Sequence, residues 1–256
     1  MVRAGRGAVS ADRDYEVATI LRFARAIRGQ EGKAIRHLDH SASVRRYCRK
    51  ADEVATVVGK GRILDWGCLY GQMTFLLERR GLTVVPFDLQ ESHRPRTLCE
   101  LVDRTPIYSQ DPVKLPFEAA SFDAVLSSGT LEHVADPEGS LREIHRVLRP
   151  AGHFIIYNLP NRASWIEWIG LLRGTAHERR YLLSEAKRWL GRAGFGVLLA
   201  RHENVLPCTF SSLPAWLRPM LLTVNRVFAG VDPLLSRVPV LSWFGTNLTF
   251  ICRKAA

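Results

Sequence analysis

Residues 62–71 read Arg-Ile-Leu-Asp-Trp-Gly-Cys-Leu-Tyr-Gly, and no other stretch restricts the fold as tightly. A short apolar run closes on Asp65, a turn carrying Gly67 and Gly71 follows, and Gln72–Glu78 has helical character. Strand, glycine turn and helix start, in that order, open a βαβ unit and bring backbone N–H groups toward a polar ligand. Glycine serves such a turn because the chain bends tightly and comes close to the ligand with no Cβ in the way.

The spacing is G-x-x-x-G with an acid two residues before the first glycine. A pyrophosphate-binding turn reads G-x-G-x-x-G, and Asp65 would repel a phosphate pair. Beside an ammonium or sulfonium group the same acid is tolerated. The turn therefore leans toward S-adenosylmethionine and away from a dinucleotide, although a strand–turn–helix that binds nothing has the same outline. A second apolar run, Thr83–Asp88, ends in another acid about one βαβ unit later. A carboxylate at that strand tip can accept from both ribose hydroxyls, the alternative being a solvated turn residue. Asp111 opens a Pro-bounded loop, Asp111–Phe117, within reach of an adenine amino group, and Phe122–Leu126 reads as a buried parallel strand. Then come Thr130-Leu131-Glu132-His133-Val134-Ala135-Asp136-Pro137 and Leu141–Gly152, the latter closing on Arg-Val-Leu-Arg-Pro-Ala-Gly.

From Leu115 to Gly152 these motifs resemble the class I S-adenosylmethionine-dependent methyltransferases, in particular the type-11 branch, which includes enzymes of quinone biosynthesis. The likeness extends over about 61–157 and loosely over 181–195. It implies an α/β fold: a doubly wound, Rossmann-like seven-stranded sheet with an N-terminal helical cap and an insertion before the last strand. It also implies S-adenosyl-L-methionine as cofactor. Carried onto matching positions, Asp65, Gly67, Cys68, Leu69 and Gly71 form the turn around the amino-acid part of the cofactor. Asp88 and Leu89 take the ribose, Asp111, Pro112 and Val113 flank adenine, and Ser127, Ser128 and Gly129 line the methyl site. Cys68 also reads as a small packing residue. Two departures stand out: Leu69 replaces the middle glycine of the family's first turn, a tolerated variant, and Ala151 replaces a glycine of the P-G-G turn, where its small size raises no doubt.

The chain divides into a basic arm and helical cap (1–58), a cofactor-binding core (59–204), an amphipathic insertion (205–245) and the last strand (246–256). The net charge of +11 is uneven: residues 1–50 carry an excess of +7, residues 51–204 none, and residues 205–256 +4. Residues 1–12 read as disordered, and helices are expected over about 14–28 and 43–58. The insertion repeats Trp216, Leu217, Met220, Leu221, Val224 and Phe228 at helical spacing. It suits a lid over the acceptor, a homodimer face, or a surface docking on anionic membrane. Five scattered cysteines indicate a reducing compartment rather than disulfides or zinc. No apolar run spans a membrane and no signal peptide is visible. The expected location is cytoplasmic, peripheral at the inner face of a membrane if the third reading holds.

The expected reaction is methyl transfer to a small or lipid-like acceptor, with oxygen favoured. His133 is the candidate general base, and Tyr47, His177 and Tyr181 are candidate substrate contacts. Arg179 or Arg180 could meet an acidic substrate group, though a solvated charge run is the plainer reading. No metal set is found; His37 and His40 lack a third ligand. The basic flanks raise RNA methylation as an alternative, but Ser127-Ser128-Gly129-Thr130 stands where base modifiers carry Asp/Asn-Pro-Pro-aromatic. An inactive scaffold is the other alternative, with Leu69 as its clue.

Overall fold

The computed structural model describes residues 6–31, 34–89, 101–102, 104–174, 176–206, 224, 227–228, 230–232, 234–236 and 238–255. Its centre is a seven-stranded sheet in the order β3-β2-β1-β4-β5-β7-β6. The strands are β1 (Arg62–Trp66), β2 (Thr83–Leu89), β3 (Ile107–Ser109), β4 (Phe122–Ser128), β5 (Leu148–Pro160), β6 (Phe195–Glu203) and β7 (Asn247–Lys254). The first five run parallel, and β7 inserts antiparallel between β5 and β6. Strand order reverses between β1 and β4, which opens the crevice at strand ends where doubly wound sheets hold ligands.

Helices cover both faces, so the central strands are near-continuous apolar runs. On one face lie α1 (Arg6–Glu31), α2 (Ser41–Val58) and α3 (Gln72–Glu78). On the other lie α4 (Pro137–Val147) and α6 (Leu183–Arg192), with α5 (Trp165–Leu172) between β5 and α6 in the chain. In α1, Val17, Ile20, Phe23, Ala24 and Ile27 recur at helical spacing and are buried with Val44, Cys48, Ala51 and Val54 of α2. In α4, Leu141, Ile144 and Val147 do the same against the opposite face, and the Asp136 carboxylate accepts from Gly139 N–H to cap its start.

The N-terminal segment departs from expectation. Helix α1 begins at Arg6, inside the stretch expected to be disordered. Several of its charges are also engaged: Arg13 pairs with Asp52 at 2.5 Å, Arg45 with Asp14 at 2.6 Å, and Arg28 with Asp39 at 3.7 Å. Arg80 of the α3–β2 turn bridges the buried Glu16 and Asp52. The apolar face of α1 is thus part of the core, and removing residues 1–30 would uncover α2 and α3. The last strand, expected within 246–256, is β7 at Asn247–Lys254. Most of the expected amphipathic insertion, including Trp216, Leu217, Met220 and Leu221, lies outside the described residues. Among the described residues no helix is long and apolar enough to cross a membrane.

The small size of Ala151 raises no objection, but its backbone decides its cost. It has φ +61° where β4–β5 register shifts, and a Cβ in the left-handed region costs roughly 1–2 kcal/mol. Gly loses about 0.4–1 kcal/mol of that advantage to unfolded-chain entropy. Ala151→Gly is therefore expected to stabilise the protein by about 0.5–1 kcal/mol, read as an upward shift of the urea midpoint. A lowered midpoint would show that the alanine side chain contributes more by packing than its backbone costs.

Candidate active site

At the reversal point β1 ends at Trp66, paired with Ser127 of β4 and Phe87 of β2. The chain then enters the glycine turn. Gly67 has φ +75°, and a Cβ there would meet the Thr130 hydroxyl at 2.3 Å, so glycine is required twice over. Leu69 also sits at positive φ, +50°, a left-handed conformation that glycine adopts freely and a leucine only with strain. The turn is held from β2: Gly67 and Cys68 N–H donate to the Phe87 carbonyl, and Leu69 N–H donates to Asp88 Oδ2 at 2.9 Å. Leu89 N–H donates to Asp88 Oδ1 at 2.8 Å. One carboxylate thereby locks the tip of β2 to the turn after β1.

A cavity of about 710 Å³ opens beside this turn. Gly67, Leu69, Gln72 and Asp88 line one side, and Ser43, Arg46, Tyr47 and Lys50 of α2 line another. Those four residues lie at i, i+3, i+4 and i+7, one stripe of the helix. The β4 and β5 tips contribute Ser128, Gly129 and Asn158, and the next loop adds Glu132 and His133. His177 completes that end.

The chemistry concentrates around His177. Its Nδ1 lies 2.7 Å from Glu167 Oε1, and its backbone N–H donates to Glu167 Oε2 at 3.1 Å. Glu167 on α5 is 3% exposed, so both carboxylate oxygens are committed to one residue. The partnership makes Nδ1 the protonated nitrogen and leaves Nε2 as the basic one. The His133 ring lies 6.0 Å away, centroid to centroid. Burial, then the neighbouring His177, pushes the His133 imidazole below its ordinary value. The Glu132 carboxyl is pushed up to about 7 by burial.

A family model described as "Methyltransferase domain", type 11, matches residues 64–156. The chain is 31% identical over 177 residues to a demethylmenaquinone methyltransferase of Clavibacter sepedonicus, covering 59% of this chain and 71% of that protein. It is 30% identical over 180 residues to a ubiquinone biosynthesis O-methyltransferase of Pseudomonas syringae pv. tomato, covering 63% and 73%. The chain belongs to the type-11 methyltransferase family. Other curated relatives are spanned over about half their length or less: 56%, 30% and 51% for three of them. Among solved structures, the fold matches the Burkholderia thailandensis 1,6-didemethyltoxoflavin-N1-methyltransferase, crystallised with 1,6-didemethyltoxoflavin and S-adenosylhomocysteine. The TM-score is 0.58 at 19% identity, over 94% of this chain and 90% of that one.

Within this methyltransferase fold the sequence-derived site residues divide. Gly67, Leu69, Asp88, Ser128, Gly129, Tyr47, His133 and His177 reach the cavity. Asp65 does not line it. The side chain is 2% exposed and accepts from Thr74 Oγ1 at 2.6 Å, so it braces α3 against β1 from behind the turn. Cys68 and Ser127 are buried, and neither they nor Gly71 and Leu89 line the cavity. Asp111, Pro112 and Val113 lie outside it too. Asp111 Oδ1 accepts from the N–H groups of Val113 and Lys114, closing its own exposed turn. Tyr181 stacks on Trp189 at 5.3 Å instead of facing the cavity. Arg179 clamps the Val134 and Ala135 carbonyls. His37 lines the cavity against the Tyr47 ring, 6.0 Å away, and no metal-binding cluster occurs among the described residues.

Sequence reasoning missed Arg46, Lys50, Gln72, Glu132, Asn158 and Glu167. The α2 stripe was readable as spacing but not as a cavity face. Glu167 was unreadable, because its partner lies ten residues away across an irregular loop.

The state of Asp65 has a consequence for stability. Burial first, then Asp88, pushes its carboxyl from 3.8 up to about 6. The folded protein binds this proton more tightly than the unfolded chain. The penalty is therefore full above pH 6 and fades as pH falls toward 4. Asp65→Asn keeps an acceptor for Thr74 and removes the charge. It is expected to exceed wild type by about 1–3 kcal/mol at pH 8 and by less at pH 5 in urea melts. A gap that widens toward pH 5 would contradict this.

Proposed function

We propose that the protein transfers a methyl group from S-adenosylmethionine to a hydroxyl oxygen of a small acceptor, with His177 as general base held by Glu167. The observation that carries the reading is the buried Glu167 carboxylate committed to His177 at the cavity. A base oriented by a third group is how a weakly acidic hydroxyl is deprotonated near neutral pH.

The residues present fit the cofactor. Asp88 faces the cavity at the β2 tip, where ribose hydroxyls can donate to it. The positive-φ turn at Gly67 and Leu69 keeps the approach to the cofactor's amino-acid end open. Gln72 lines the same wall, and its buried Oε1 has no hydrogen-bond partner among the described residues, an acceptor suited to an ammonium group. When bound, the cofactor supplies a methyl group on a sulfonium, open to direct displacement by an acceptor oxygen.

The chain's own part is position and proton transfer. Nε2 of His177 would take the acceptor's hydroxyl proton as the oxygen–carbon bond replaces the carbon–sulfur bond, and Glu167 would stabilise the imidazolium that results. Ser128, Gly129 and His133 wall the space between turn and base. Glu132, its carboxyl pushed up to about 7 by burial, carries a reduced negative charge there near neutrality. The test is incubation with methyl-labelled S-adenosylmethionine and a cell extract of small molecules, followed by mass spectrometry. Label in a methyl ether supports the reading; label confined to nitrogen or carbon contradicts the oxygen assignment.

A further inference from the structure

The acceptor-side wall carries a charge that the mechanism above does not use. On α2, Lys50 and Arg46 both line the cavity, one turn apart. They differ in their partners. Lys50 Nζ donates to Asn158 Oδ1 at 2.6 Å and lies 3.6 Å from Glu203. Behind it, Arg201 bonds Glu53 at 2.6 and 2.8 Å and Glu203 at 2.6 Å. Lys50 and Arg201 thus balance Glu53 and Glu203 within one network.

Arg46 stands outside that balance. Its Nη1 donates to Asn204 Oδ1 at 3.2 Å, a neutral acceptor, and no carboxylate lies within 4 Å of it among the described residues. Residues 205–245 contain one acid, Asp232; its carboxylate accepts from Leu206 N–H at 2.8 Å and acts on Arg46 through space, without an ion-pair contact. Burial lowers the Arg46 guanidinium from its ordinary value, and the more distant carboxylates of Asp232 and Glu203 offset this only in part. Asn158 and Asn204, which hold the two cations, both sit at positive φ, +62° and +61°, a conformation asparagine adopts readily. Thr246 fixes Asn204 in turn, with its N–H and hydroxyl both 2.9 Å from the Asn204 carbonyl.

We propose that Arg46 binds an anionic group of the methyl acceptor, a carboxylate or a phosphate, so that the substrate class is an acidic hydroxy compound. This rests on the methyltransferase reading and narrows it. A guanidinium presents a fork of donors matched to either anion, and Ser43 and Lys50 flank it on the same helix stripe. The acidic-group contact expected at Arg179 or Arg180 moves to α2.

Benzoate, phenyl phosphate and neutral benzamide, at equal concentration, serve as probes. Their binding is read by thermal shift with and without saturating S-adenosylhomocysteine. Wild type is expected to bind at least one anion about tenfold more tightly than benzamide, and the better anion identifies carboxylate or phosphate. Arg46→Gln should lose that preference with S-adenosylhomocysteine affinity unchanged, and Arg46→Lys should keep part of it. Equal response to benzamide and both anions, or an anion preference that survives in Arg46→Gln, overturns the proposal. Cofactor affinity is a separate readout: its absence in wild type would remove the methyltransferase reading whatever the anions do.

Discussion

Asp88→Ala is expected to weaken S-adenosylhomocysteine binding by at least tenfold in titration calorimetry. Two losses combine. The carboxylate no longer accepts from ribose hydroxyls, and each charge-assisted hydrogen bond contributes about 1.5–3 kcal/mol. The Leu69 N–H, now 2.9 Å from Oδ2, also loses its acceptor, so a residue already at φ +50° is no longer held. Asp88→Asn separates the two, since its amide oxygen can still hold the Leu69 N–H while the charge is gone; it should fall between wild type and alanine. Unchanged affinity in Asp88→Ala would remove the ribose from this strand tip.

The second large effect concerns the reaction. His177→Ala should lower kcat by about 10²–10⁴-fold and leave S-adenosylhomocysteine affinity unchanged. Glu167→Gln keeps an acceptor beside Nδ1 at lower charge, so its loss should be smaller, though at least about tenfold. His133→Ala should cost less than either, because that side chain is 67% exposed and no carboxylate closer than 3.9 Å orients it. Wild-type kcat in His177→Ala, or a larger loss in His133→Ala, would return the base to His133.

Fold and family were legible because they rest on local order: the acid–glycine turn at Asp65–Gly71, the acid at Asp88, and the run from Leu115 to Gly152. The cavity was only half legible. Residues next to the glycine turn could be placed because strand tips converge by topology. Asp65 could not be placed as a brace, since strand position says where a residue lies but not which way its side chain turns. Asp111 lies outside the cavity and closes its own turn, because Asp before a short polar turn bonds its own backbone as readily as a ligand. Tyr181 found Trp189, eight residues on in the sequence, in preference to the cavity. Arg46 and Lys50 were counted only as charge. Their difference, one beside a carboxylate and one bonded to a neutral amide, depends on Glu203 and Asn204, far along the chain from α2.

A wall of Gly67, Leu69, Gln72 and Asp88 that holds an adenosyl sulfonium must also hold its demethylated product. Equilibrium titration of the wild-type chain with S-adenosylhomocysteine, with S-adenosylmethionine as competitor, tests it most directly. One site per chain, displaced by the competitor, is the predicted result; no saturable binding up to millimolar ligand would contradict it.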